Sequence, residues 1–225
     1  MNWFIKLFSS TLGKKLVMAL TGLFLIAFLI VHLIGNLQLL RDDHGQAFNT
    51  YAEFMGTNGL IQIISKVNFT LILMHALWGL FLTIKNRAAR GPQGYIVVKN
   101  SSPWTSRNMG ILGTLVLVFL VVHIKDFYAQ VHFGTVPPVE YDGRQVKDLY
   151  TIVSEWFNVG WYVALYVFCM GALGFHLWHG FESAFQSLGL NHPKYTPIIK
   201  FIGRTFSVVV PALFAIIPVA MFFKL

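Results

Sequence analysis

Apolar residues gather along this chain into five long blocks separated by short polar or breaker-rich stretches. Helical spans are expected at about 15–40, 60–84, 108–131, 157–187 and 201–223, since roughly 20 mostly apolar residues cross about 30 Å of hydrocarbon. Between them lie Arg41-Asp42-Asp43-His44-Gly45, Arg90-Gly91-Pro92-Gln93-Gly94, Pro137-Pro138 through Asp142-Gly143, and Gly189 through Pro193, all rich in turn-forming residues. The pattern predicts an all-α membrane protein, a five-transmembrane-helix bundle forming one domain over residues 1–225. Residues 1–13, with Trp3, Phe4, Ile5 and Leu7 beside Lys6, are expected to lie at the membrane interface as a short amphipathic segment. The first block is longer than a signal-peptide core and no small-x-small cleavage pattern closes it, so it is read as a retained helix.

Composition agrees with this reading. Hydrophobic residues make up 56% of the 225 and charged residues only 12%, whereas a soluble domain is about a quarter charged. The charges also separate by side when the loops are assigned alternately. One side collects Lys6, Lys14, Lys15, Lys85, Arg87, Arg90, Lys99, Arg107, Lys194, Lys200 and Arg204 against a single acid, Glu182. The other holds the remaining six bases and eight acids, Asp126, Glu140 and Glu155 among them. The positive-inside rule then puts the N-terminus in the cytoplasm and the C-terminus outside. The net charge of +8 is a sidedness signal and not a nucleic-acid footprint.

Four histidines sit deep in the apolar blocks, one in each of the first four: His32, His75, His123 and His176. An imidazole in hydrocarbon is costly unless paired or coordinated, so the set points to a functional site. Counting rise from the cytoplasmic ends puts His32 and His123 both roughly 25 Å in and His75 and His176 both roughly 15 Å in. Two bis-histidine sites are therefore expected, an outer pair His32/His123 and an inner pair His75/His176. A single buried histidine serves equally well as a hydrogen-bonding group between helices, but four at two matched depths fit coordination better. Two imidazoles from facing helices suit the axial positions of haem b, whereas tetrahedral zinc wants four ligands at one depth. Cys169 is the lone cysteine, which excludes c-type attachment, cysteine-ligated iron–sulfur clusters and disulfides.

The inner pair shares a local pattern, His75-Ala-Leu-Trp-Gly79 and His176-Leu-Trp-His-Gly180, in which the glycine lies one turn on and is expected to open a flat space beside the imidazole. His179 competes with His176 but lies nearer the interface. His44, His132 and His192 fall in loops. For haem propionates Arg107, Lys85 and Arg204 are available inside and Arg41 and Lys125 outside, although orienting the helices is the commoner role of such bases. Trp104, Trp156, Trp161 and Tyr150 are positioned for an aromatic belt.

The ordered histidines on helices one to four, Phe175-His176 followed by Gly180, and Val31-His32 with Asn36 beyond it carry a resemblance that covers essentially the whole chain. The sequence resembles the di-haem cytochrome b membrane-anchor subunit of the succinate dehydrogenase and fumarate reductase family, in its five-helix, single-polypeptide form. The resemblance implies two b haems, His75 and His176 holding the one nearer the cytoplasm and His32 and His123 the outer one. It further implies a flavoprotein and an iron–sulfur subunit docked on the cytoplasmic side, membrane quinone, in this type menaquinone, as the redox partner, and residence in a bacterial cytoplasmic membrane. Quinone chemistry needs protons as well as electrons, and Glu53 in Tyr51-Ala52-Glu53-Phe54-Met55 is the candidate for proton transfer on the outer side, a solvated loop acid being its alternative. Asn36, Gln38 and Tyr51 are candidate hydrogen-bonding partners there. Some related fumarate reductases carry a glutamate on the fourth helix just before the histidine ligand. Here Ala172, Leu173, Gly174 and Phe175 occupy that stretch, which counts against such a proton path.

Two other readings remain open on the residues. A di-haem cytochrome b of another respiratory dehydrogenase would want a docking face outside, where the loops are acidic. A proton-coupled transporter with buried histidines would favour broken helices, and Pro211 and Pro218 interrupt only the fifth block, which carries no histidine.

Overall fold

The computed structural model describes residues 10–91 and 103–224. Most of segment 1–13 lies outside the described residues, as do Pro92, Gln93 and Gly94. Among the described residues, five helices are long and apolar enough to cross a membrane. They are α1 (Thr11–Asn36, prolonged by a 3-10 turn Leu37–Leu40), α3 (Gly59–Arg90), α5 (Met109–Phe133), α7 (Gly160–Ser187) and α8 (Thr196–Phe223). Three shorter helices sit between them, α2 (Gln46–Thr57), the single turn α4 (Trp104–Arg107) and α6 (Leu149–Phe157). Their large apolar side chains face outward: on α3, Leu73 is 59% and Ile84 60% exposed. In water such a surface would collapse, whereas lipid solvates it.

Local chemistry sets the helix ends. Ser10 accepts from the Gly13 amide at 2.9 Å to cap α1, and Asn58 accepts from the Leu60 and Ile61 amides to open α3, each satisfying donors that the first turn leaves unpaired. The fifth span runs unbroken through Pro211 and Pro218. Proline at 211 has no amide to offer the Ser207 carbonyl, and that carbonyl lies where Gly174 of α7 comes closest, 3.0 Å from where a Cβ would be. The kink-prone turn thus packs on a residue without a side chain, and α7 and α8 form the most extensive contact in the molecule.

Helices α1, α3, α5 and α7 form a ring in which the contacts run α1 to α3, α3 to α5, α5 to α7 and α7 back to α1, with α8 packed outside against α7 and α1. Consequently α1 faces α5, and α3 faces α7, across the diagonals. The best-buried cluster, including Leu33, Phe157, Tyr162, Tyr166 and Ile217, gathers at the end of the bundle that holds the C-terminus of α1 and the N-terminus of α7.

The stretch between α5 and α6 departs from the all-helical expectation. Pro138–Tyr141 (β1) and Arg144–Lys147 (β2) pair antiparallel, Tyr141 opposite Arg144, around Asp142 and Gly143 at φ 52° and 77°. Two consecutive positive φ values give the turn whose twist matches that of paired strands, which is why Asp-Gly forms it. The hairpin is tied down by Asn49 of α2, which is fully buried. Its amide donates to Tyr141 Oη at 3.1 Å and Asp148 Oδ1 at 3.0 Å, and its carbonyl accepts from the Tyr150 amide at 2.9 Å. The α2, hairpin and α6 segments thereby form a cap over one end of the bundle. Tyr150 and Trp156 pack on the buried cluster of that end, whereas Trp104 and Trp161 remain exposed.

Candidate functional site

The four histidines come one from each helix of the ring, and the diagonal pairs approach each other. The rings of His32 on α1 and His123 on α5 have centroids 5.7 Å apart at 89°. Those of His75 on α3 and His176 on α7 are 6.2 Å apart at 72°. All four are partly buried. His179 is also half-buried but makes no ring contact with another histidine among the described residues. No group of three or more His, Cys, Asp or Glu side chains converges to hold a metal among the described residues, so the histidines meet in twos.

Each pair has neighbours that orient it. Thr21 Oγ1 donates to the Val17 carbonyl at 2.7 Å and lies 3.0 Å from His75 Nδ1. A hydroxyl has one proton, and with that proton on the carbonyl Thr21 Oγ1 is an acceptor for His75 Nδ1–H. That leaves the His75 Nε2 lone pair free. His176 Nδ1, buried, has no hydrogen-bond partner. In the outer pair, His123 Nδ1 lies 3.0 Å from Tyr166 Oη, and Phe119 and Phe28 stack on the rings of His123 and His32. Asn36 donates to the His32 carbonyl at 2.8 Å with its amide 3.4 Å from the ring nitrogens.

Glycines do flank the inner histidines, but not the ones that local spacing picked out. A Cβ at Gly79 would meet Met18 and one at Gly180 would meet Met109, so both serve helix packing. The glycines beside the imidazoles are Gly22 of α1, where a Cβ would be 3.4 Å from His75 Cε1, and Gly113 of α5, where it would be 3.6 Å from His176 Cε1. They lie on the helices adjacent to those that carry His75 and His176, a relation that sequence spacing within one helix cannot reveal.

A cavity of about 670 Å³ reaches the outer pair, with His32 and His123 in its wall. That volume is in the range of sites for cofactors and small molecules. Its lining is mostly apolar, with a polar stripe of Gln62, Ser65 and Asn68 along α3 and Tyr51 on α2. Asn68 is 5% exposed and its Oδ1 has no partner. An unpaired buried carbonyl costs about 1–3 kcal/mol, so this amide is poised for a ligand. Glu53 is half-buried on α2 and outside the cavity lining, while Tyr51, Ala52 and Met55 beside it are in the wall.

Several charged residues near the ends are engaged with each other or with aromatic rings. Glu182 pairs with Lys200 at 2.9 Å, Arg204 lies over the Trp178 ring at 5.5 Å, and Arg41 is 3.8 Å from Asp43. Asp126 behaves differently from the outer-loop acid that the charge pattern implied. It is 6% exposed, within a π-helical segment of α5, Ile124–Ala129.

No protein-family model matches the chain, and no curated protein or solved structure matches it significantly.

Proposed function

We propose that the chain is the cytochrome b membrane-anchor subunit of a succinate:quinone oxidoreductase, holding two b haems and carrying electrons between a cytoplasmic flavoprotein and iron–sulfur pair and membrane quinone, in the form of menaquinone. One observation carries this reading: the four membrane histidines approach in two pairs across the diagonals of a four-helix ring. Diagonal helices are held apart by their neighbours, with the facing imidazole centroids 5.7 and 6.2 Å apart.

The residues fit the group. Two imidazoles on opposite faces of one metal ion have ring centres roughly 6 Å apart, from about 2 Å for each metal–nitrogen bond and about 1 Å from each nitrogen to its ring centre. The observed 5.7 and 6.2 Å suit that requirement. Gly22 and Gly113 leave space beside His75 and His176 that any larger side chain would fill, and the cavity supplies room beside His32 and His123. Bound haem b supplies one-electron transfer, its potential set by its axial ligands and their surroundings. The chain's own part is to hold the imidazoles, keep His75 in the tautomer with Nε2 free through Thr21, and exclude water with apolar walls.

For the quinone, Asn68 is the better-placed polar group. Its Nδ2 can donate to a quinone carbonyl and its unpartnered Oδ1 can accept from a quinol hydroxyl. Ser65 and Gln62 continue the same wall. Glu53 would have to act from outside this cavity. The sidedness of the charges puts the basic ends of the helices, and with them the docking face for the soluble subunits, in the cytoplasm.

The test is purification in detergent followed by a reduced-minus-oxidised spectrum and pyridine haemochrome quantification. Close to two b haems per chain in the wild type, lost on alanine substitution of His32, His75, His123 or His176 and kept in His179→Ala, is the expected result. Folded protein without haem from haem-replete cells would overturn the reading.

A further inference from the structure

The buried carboxylate of Asp126 belongs to a hydrogen-bonded chain that ends on one histidine of the outer pair. Tyr162 Oη donates to Asp126 Oδ2 at 3.0 Å. The Tyr162 and Tyr166 hydroxyls are 3.3 Å apart, and Tyr166 Oη is 3.0 Å from His123 Nδ1. Tyr162 is fully buried and Tyr166 is 5% exposed, with Tyr166 and His123 in the wall of the cavity. At its far end Asp126 Oδ1 accepts from Lys125 Nζ at 2.9 Å, with the lysine side chain 76% exposed.

Proton counting gives this chain a direction. A carboxylate only accepts, so the single hydroxyl proton of Tyr162 goes to Asp126. Tyr162 can then only accept from Tyr166, whose single proton is used in turn. The Tyr166 oxygen is left to accept, and the proton it accepts is the one on His123 Nδ1. A carboxylate three hydrogen bonds away therefore dictates which ring nitrogen of His123 keeps its lone pair. The π-helical turn at Ile124–Ala129 widens α5 by one residue, the kind of insertion that recurs at functional sites, and Asp126 lies within it.

We propose that Asp126, through Tyr162 and Tyr166, is a positioning residue for the outer metal centre. It holds His123 with Nε2 free to coordinate, and it strengthens that nitrogen as an electron donor, so that breaking the chain raises the reduction potential of the outer centre. The proposal rests on the two-haem reading for its second part only. Groups that orient a coordinating histidine typically change metal affinity ten- to hundredfold when lost, and among the described residues no comparable carboxylate-ended chain reaches His75, whose Nδ1 meets Thr21.

The experiment is a redox titration of the purified two-haem protein carrying Tyr166→Phe and, separately, Asp126→Asn. The expected result is an upward shift of the outer potential with the inner one unchanged, a tenfold change in relative affinity for the two oxidation states being about 59 mV for a one-electron couple. An unchanged outer potential in both variants with both haems bound overturns the proposal, as does an equal shift of both centres. Should Tyr166→Phe lose the outer haem altogether, Asp126→Asn decides by the same criterion. Should the wild type carry no haem, the haem reading fails by itself. ¹⁵N spectra of histidine-labelled protein then judge the remainder, a proton on His123 Nδ1 that moves in Tyr166→Phe sustaining it and a proton on Nε2 in the wild type overturning it.

Discussion

Replacing Thr21 by valine tests the inner histidine pair with the least disturbance of packing. Valine keeps the branched shape and removes only the hydroxyl. The Val17 carbonyl retains its helical amide partner, so the one group left stranded is His75 Nδ1–H, at present 3.0 Å from Thr21 Oγ1. An unsatisfied buried donor costs about 1–3 kcal/mol. The imidazole can escape by moving its proton to Nε2, but that blocks the nitrogen proposed to hold the haem iron. On the proposed haem reading, binding at the inner site then weakens by the ten- to hundredfold usual for an orienting partner, about 1.4–2.7 kcal/mol. The assay is the rate and extent of haem transfer to an excess of a haem-scavenging globin, followed optically, with the outer centre as internal control. Thr21→Ser should restore retention, since it returns the acceptor without the methyl. Retention in Thr21→Val equal to wild type, or a serine variant as weak as the valine one, would refute the reasoning.

Asn68→Leu should keep both haems and lower quinol-dependent haem reduction about tenfold, the loss expected for one good hydrogen bond to a substrate; stopped-flow reduction with a soluble menaquinol analogue measures it. Asn49→Ala should destabilise the cap by about 3 kcal/mol, because the Tyr150 amide and the Asp148 carboxylate lose buried partners together, and thermal unfolding in detergent followed by tryptophan fluorescence reads this directly. Burial works to raise the pKa of Asp148, but hydrogen bonds from the Thr151 hydroxyl, Asn49 and the Thr151 amide outweigh it and hold the carboxyl below its ordinary 3.8. A lowered folded value means that its stabilisation is complete above pH 3.8 and fades as pH falls below that point. Asp148→Asn should flatten the acid limb of the unfolding profile there, and an unaltered limb would contradict it.

Several particulars that the structure adds had visible but local signals. Asp142-Gly143 between Val139, Tyr141 and Val146 has the alternation and turn residues of a hairpin, masked by the helical character of everything around it. Gln62, Ser65 and Asn68 recur every three residues on an otherwise apolar span, a polar stripe that marks one helix face. Neither Asp126 nor Glu53 could be placed this way. Both read as outer-side acids by position, yet a π turn carries one into the bundle and the other stays outside the cavity.

The five spans and the four histidines were determined by sequence alone, because lipid demands an unbroken apolar run for each helix and makes every polar residue within it conspicuous. Depth followed as well, since helical rise is constant and direction alternates. Azimuth did not. Apart from the polar stripe on α3, these spans are apolar on nearly every face, so composition does not say which side turns inward, and that was decided only by how α1, α3, α5 and α7 close their ring. From that closure come the diagonal approach of His32 to His123 and of His75 to His176, the glycines on neighbouring helices that flank the inner pair, and the two tyrosines that join Asp126 to His123.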